Sequence, residues 1–229
     1  MPGKSVSWPG RMLAIARKDI VTELRTRYAI NAVIMFALVT LVVISLSLRM
    51  LVPDEALLAA IFWIIFFFAS MSGLARTFVR EEEAGTALLL KLSADGTAIF
   101  FGKLLFNLFL LIVLSIFIIP LFVVLLNSVP KDWAIFLAGW LLGIIGLAGS
   151  TTIIAAMVAK ASVKGALFAV LSFPILMPLL LIVVGITEAG LTGGNPSGVA
   201  TYIQLVAAYD VAMMALSMVL FDFVWRQQV

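Results

Sequence analysis

Apolar runs long enough to cross a bilayer recur along the chain with only short polar connections between them, and this constrains the fold more than any other feature. A helix covers the hydrocarbon core with roughly 20 apolar residues. Six such runs fall at about 29–51, 56–78, 98–127, 133–159, 164–187 and 200–225. Of the 229 residues, 64% are hydrophobic and 12% charged, against roughly 45 to 50% and about 25% in soluble domains. The expectation is an all-α polytopic membrane protein with one transmembrane domain over 1–229. A cleavable signal would show a short apolar core and a small-residue cleavage site, so the first run is read as a retained signal-anchor helix.

The chain has no cysteine and no histidine. That removes thiol nucleophiles, disulfides, the commonest zinc ligands and the usual proximal haem ligand together. No catalytic residue, metal site or covalently bound cofactor is expected. The net charge of +3 is informative through where the basic residues fall, and nothing in it suggests a nucleic-acid partner. With the N-terminus inside, Lys4, Arg11, Arg17, Lys18, Arg25, Arg27, Arg76, Arg80, Lys91, Lys103, Lys160, Lys164 and Arg226 are cytoplasmic, and only Arg49 and Lys131 lie outside. The segment of about 79–97 then faces the cytoplasm, and the Gly-rich stretch ITEAGLTGGNPSG, about 186–198, forms a loop on the other side.

Ahead of the first run, RMLAIARKDIVTELRTRY sets Leu13, Ile20, Leu24 and Tyr28 at helical spacing among seven charged residues. This suits an amphipathic helix over 11–27 lying among membrane lipid headgroups. A soluble helix end would carry the same pattern.

Two apparent motifs fail. In GTAIFFGK, Gly96 to Lys103, five residues separate the glycines where a phosphate-binding loop has four, and Leu104 stands where Ser or Thr would meet magnesium. Any ATP must therefore be handled by another subunit. Asn195-Pro196-Ser197 has proline in the position that excludes glycosylation.

Gly139, Gly143, Gly146 and Ser150 put small side chains on one face of the fourth span, which permits close helix approach within the chain or between subunits. Pro120, Pro174 and Pro178 interrupt the backbone ladder in the third and fifth spans, where bends are expected. Asp210 falls well inside the last span. A carboxyl there is either a functional site, or protonated or paired with a hydroxyl.

The segment REEEAGTALLLKLSADG, Arg80 to Gly96, is the main polar interruption. Thr86 can cap a short helix with Leu88, Leu89 and Leu92 as its apolar face. Glu81, Glu82 and Glu83 precede that helix, where they suit its dipole and could meet a basic partner. A leucine face with acidic neighbours, held between two spans, suits a cytoplasmic coupling helix on which a soluble protein docks; a loop lying on the headgroups is the alternative.

These residues, Glu81 through Gly85-Thr86 and the leucines to Leu92-Ser93, then Gly102-Lys103 and Asn107, resemble the coupling region of ABC-2 type ABC transporter permeases. The six-span length, the Gly-rich fourth span and FPILMPLLL, Phe173 to Leu181, narrow the resemblance to the cytochrome c maturation protein B family, CcmB, the permease subunit of a haem exporter. Two departures are Ala87 to Leu89, where members often carry an acid, and Ala94, where they often carry proline.

The resemblance implies a bacterial inner-membrane protein present in two copies. Its partners would be a CcmA-like ATPase, CcmC-like and CcmD-like membrane proteins and a CcmE-like haem chaperone. Haem would be a handled or transported ligand, and ATP would act through the partner. A permease exporting a polysaccharide or amphiphile, and a scaffold without an ATPase, are the competing functions.

Overall fold

A computed structural model describes residues 7–48, 53–159, 161, 163–194 and 196–226. Lys4, Arg49, Lys160 and Asn195 lie outside them, as does the side chain of Arg226. The described residues form nine helices and no strand: α1 (Trp8–Thr26), α2 (Tyr28–Ser47), α3 (Glu55–Leu74), α4 (Val79–Glu83), α5 (Ala87–Ser93), α6 (Gly96–Leu125), α7 (Trp133–Val158), α8 (Lys164–Thr192) and α9 (Pro196–Arg226). Six of them, α2, α3 and α6 to α9, are long and apolar enough to span a membrane. This is the expected polytopic all-α fold.

The helix ends follow local chemistry. Asp54 accepts the Leu57 N–H at the start of α3, and Asp132 accepts those of Ala134 and Ile135 at the start of α7. Such caps satisfy amide donors that have no partner within the helix. Between α1 and α2, Arg27 adopts a left-handed backbone with φ 52°, which ends α1 and lets α2 start in a new direction. At the far end, α8 runs on to Thr192. The expected loop of 186–198 is therefore corrected, since ITEAGLT is helical and the chain turns only at Gly193, φ 71°. Glycine accommodates that conformation without steric cost.

The central helices are α7 and α3, with 78% and 67% of their apolar windows buried, against 17% for α9. The small-residue face of α7 works within the chain. A Cβ on Gly139 would come within 2.7 Å of Ile186, one on Gly143 within 2.0 Å of Trp63, and one on Gly146 within 2.4 Å of Asp210. The glycines thus let α3, α8 and α9 close on α7. Trp63, buried in this contact, donates its indole N–H to the Thr187 hydroxyl at 2.8 Å. Phe62 packs against Phe66, Phe122 and Phe136 beside it.

All three prolines lie inside continuous helices. In the turn between Pro174 and Pro178, the Tyr209 hydroxyl of α9 donates to the Ile175 carbonyl at 2.7 Å, which ties α9 to this part of α8.

Charges gather at the two ends of the bundle. One end joins α1 to the α4–α6 region through Arg11–Asp95, Lys18–Glu81 and Lys103–Asp19, and α4 to the start of α8 through Lys164–Glu83. The other carries Lys131–Glu55.

Candidate functional site

The segment after α3 is built around Glu81. The short helix α4 ends in a left-handed glycine: Gly85, φ 66°, donates to the Glu82 carbonyl, and the Thr86 N–H donates to the Glu81 carbonyl. This paired closure is the usual glycine-terminated helix end, and it explains why Gly85 precedes Thr86. Thr86 sits at the start of α5, as its type suggested, but it does not cap that helix through its side chain. Its hydroxyl reaches back to Glu81 Oε2 at 2.6 Å. A cap would use the hydroxyl oxygen as an acceptor for a backbone N–H; here the hydroxyl is instead a donor to a carboxylate, a charge-assisted bond.

Glu81 also departs from its expected place on the surface. Its side chain is 7% exposed and turned inward, onto the ammonium groups of Lys18 and Lys103. Lys103 Nζ lies 2.8 Å from Glu81 Oε1 and 2.8 Å from Asp19 Oδ2, with its side chain 2% exposed. Lys18 closes the group at the rim. Burial pulls the Lys18 ammonium down, but the hydrogen bond to Glu81 and the charges of Asp19 and Glu81 outweigh it and hold the group above its ordinary range. A buried ion persists only when paired and hydrogen-bonded. Glu81 meets that condition through Lys18, Lys103 and Thr86, and Asp19 lies within ion-pair distance of both lysines.

The network clamps α1 to the segment and to α6. The buried face of α1 is Ile15, Ala16, Asp19 and Glu23, whereas Leu13, Leu24 and Tyr28 are exposed. Gly102 allows the contact, because a Cβ there would meet Ile15 at 2.8 Å and the Met12 carbonyl at 3.0 Å. Phe78 lies under the Lys103 ammonium at 5.6 Å and packs on Phe221 and Trp225 of α9.

One turn past Lys103, Asn107 carries the connection inward. It accepts from the Thr77 hydroxyl at 2.7 Å and donates to the Thr152 hydroxyl of α7 at 2.8 Å. All three side chains are buried. A polar chain therefore runs from the α3–α4 junction through α6 into the central helix.

The outer face of the segment is apolar. Leu88, Leu89 and Leu92 are 62%, 66% and 79% exposed, and α5 is held by buried Leu90 and by Lys91 over the Trp225 ring. Glu82 is half-buried, and Glu83 is exposed between Arg76 and Lys164. Ala94 ends α5 with φ −155°. A proline ring cannot adopt that angle.

A family model, CcmB protein, matches residues 10–224. The chain belongs to the CcmB family. It is thus a multi-pass membrane permease component of the haem exporter of cytochrome c maturation, in a family whose permease subunit is not itself catalytic and which associates with other components of that exporter. No curated protein matches the chain.

Asp210 stands apart from the segment. It is buried between α7 and α8, near Gly146 and Leu179, and neither carboxyl oxygen has a hydrogen-bond partner. Of the readings left open by the sequence, pairing with a hydroxyl is not made; the neighbouring Tyr209 hydroxyl meets Ser150 and the Ile175 carbonyl. Among the described residues no cluster of His, Cys, Asp or Glu could hold a metal ion.

The sequence singled out Glu81, Gly85, Thr86, Gly102, Lys103 and Asn107, and the structure places them around the α4 turn and the first turns of α6. Sequence reasoning missed the roles of Asp19 and Thr152, whose partners lie 84 and 45 residues away in the chain.

Proposed function

We propose that α5 and the turn before it receive the motion of a CcmA-like ATPase, and that the Glu81–Lys103 network passes the motion into the bundle. The observation that carries this reading is the contrast across one segment. Three exposed leucines face outward, while Glu81, a few residues earlier, is locked to α1 and α6. A solvated loop has no need of either feature. An apolar patch rimmed by charge suits a protein partner, and a rigid buried ion group moves with its helices rather than yielding.

On this reading the chain sits in a bacterial inner membrane with its N-terminus in the cytoplasm. Two copies pair with two ATPase subunits and work with CcmC-like and CcmD-like proteins and a CcmE-like haem chaperone. ATP hydrolysis drives release of the haem-loaded chaperone. Lacking His and Cys, the chain could ligate haem iron only through rarer groups such as Met or Tyr, which favours a mechanical role over a haem-carrying pore.

The test is co-expression with the genomic neighbours, followed by ATPase rate and haem absorbance of the purified complex. Glu81→Gln should lower the coupled ATPase rate while the chain still inserts. Full coupling in that variant would remove Glu81 from the route.

A further inference from the structure

Beside the ion network lies a cavity of about 310 Å³, enclosed by α1, the start of α2, the end of α3 and α6. Its lining carries both signs of charge, with Asp19 and Glu23 from α1, and Arg76, Arg80 and Lys103 from the α3–α4 junction, α4 and α6. Lys103 is already paired with Glu81 and Asp19. Arg80 is held less firmly, with its guanidinium 3.9 Å from Glu23 Oε2 and its side chain 46% exposed. Arg76, one turn earlier, is also 46% exposed; it donates to the Tyr28 hydroxyl at 3.1 Å and lies 3.5 Å from the exposed Glu83 carboxylate, a surface pairing that an incoming phosphate can replace. The Glu23 side chain is only 3% exposed, and its Oε1 takes the Ile30 N–H, leaving Oε2 with the distant arginine. A buried carboxylate matched so loosely is a place for a cation, and the two arginines are a place for an anion.

The lining is also tiered. Gly73 and Phe106 each lie three residues further into a spanning segment than Arg76 and Lys103, and Ala29 lies in the first turn of α2. Charges therefore ring the level where α1 meets the spans, and apolar atoms lie one turn deeper. That is the polarity of an amphiphile entering from the headgroup layer. The volume is at the lower end of small-molecule sites, roughly 300 to 1,000 Å³, which suits a headgroup rather than a whole lipid.

We propose that this cavity binds the phosphate-plus-ammonium headgroup of a zwitterionic phospholipid, with the phosphate on Arg76 and Arg80 and the ammonium beside Glu23 and Asp19. Free phosphoethanolamine carries the same two charges, but it has nothing to place against the apolar tier. The site requires neither an ATPase nor haem, so it stands or falls independently of the coupling reading.

The test uses the full chain in detergent, titrated with phosphatidylethanolamine, phosphatidylglycerol and free phosphoethanolamine and read by native mass spectrometry. Phosphatidylethanolamine should bind at least about fivefold more tightly than phosphatidylglycerol, which lacks the ammonium. The double variant Arg76→Gln/Arg80→Gln should weaken it about tenfold, and Arg80→Lys should weaken it less. Should the double variant aggregate, Thr26→Trp, at an exposed lining position, should block the same binding with both arginines in place. Equal binding of the two lipids overturns the proposal, as does wild-type binding by the double variant or by Thr26→Trp. Displacement of the lipid by equimolar phosphoethanolamine would assign the site to a soluble ligand and overturn the lipid assignment.

Discussion

Lys103 Nζ and Glu81 Oε1 lie 2.8 Å apart, with both side chains almost fully buried, although 22 residues separate them in the chain. This pair fixes the segment between α3 and α6 against the bundle. Losing one partner leaves the other with a single counter-ion, Asp19 for Lys103 or Lys18 for Glu81, so the cost falls below the roughly 3 to 5 kcal/mol of breaking an isolated buried pair. Lys103→Met and Glu81→Gln should each lower thermal stability in detergent. The double variant should lose less than the sum of the two, a coupling that a double-mutant cycle measures directly. Additive losses would mean that the pair does not act as a unit.

Gly85 is surrounded by open space, yet its φ of 66° excludes an easy replacement. Gly85→Ala should cost about 1 to 2 kcal/mol through backbone strain alone. Gly165, also in open space but without a positive φ, should accept alanine with no loss. Comparing melting temperatures of the two variants isolates the backbone effect.

The Thr86 hydroxyl should matter through Glu81 rather than through the helix it precedes. Thr86→Val removes a hydrogen bond to a charged acceptor, worth about 1.5 to 3 kcal/mol, and Thr86→Ser should keep most of it. If Thr86→Ser and Thr86→Val melt alike, the bond to Glu81 does not contribute.

Gly143→Ala tests the packing of the central helix. The new Cβ would fall within 2.0 Å of the buried Trp63 ring. A loss of about 1 to 3 kcal/mol is expected for such overpacking. Unfolding monitored by Trp fluorescence would report the disturbance at the same place.

The six spans were legible in the sequence because the hydrocarbon thickness sets their length whatever packs against them. The leucine face was legible for a related reason, since Leu88, Leu89 and Leu92 fall on one side of any helix through them. The inward turn of Glu81 was not. Three consecutive glutamates look equivalent in a sequence, and only tertiary placement distinguishes the one that meets Lys103. A hint existed in Lys103 itself, a lysine eight residues into an apolar helix that requires a buried acid. Asp19 was hidden by its neighbours, because a helix with seven charges offers many acids and bases and the exposed leucines drew the apolar face elsewhere. The continuation of α8 through ITEAGLT was masked by the glycines in and after it; Gly190 lies in the helix, where a Cβ would meet the Phe136 backbone, and only Gly193 turns the chain.

The coupling reading rests on the exposed leucines, and one measurement reaches it most directly. The chain is co-expressed with its genomic neighbours and purified, and the nucleotide-binding subunit recovered with it is quantified for wild type and for Leu88→Asp/Leu92→Asp. Both positions are exposed, so the variant should fold and insert normally. Wild type should bring down the ATPase, and the variant should lose at least about tenfold of it while its own elution profile is unchanged. Recovery of equal ATPase with both chains, or of none with wild type, would contradict the assignment of this segment as the ATPase contact.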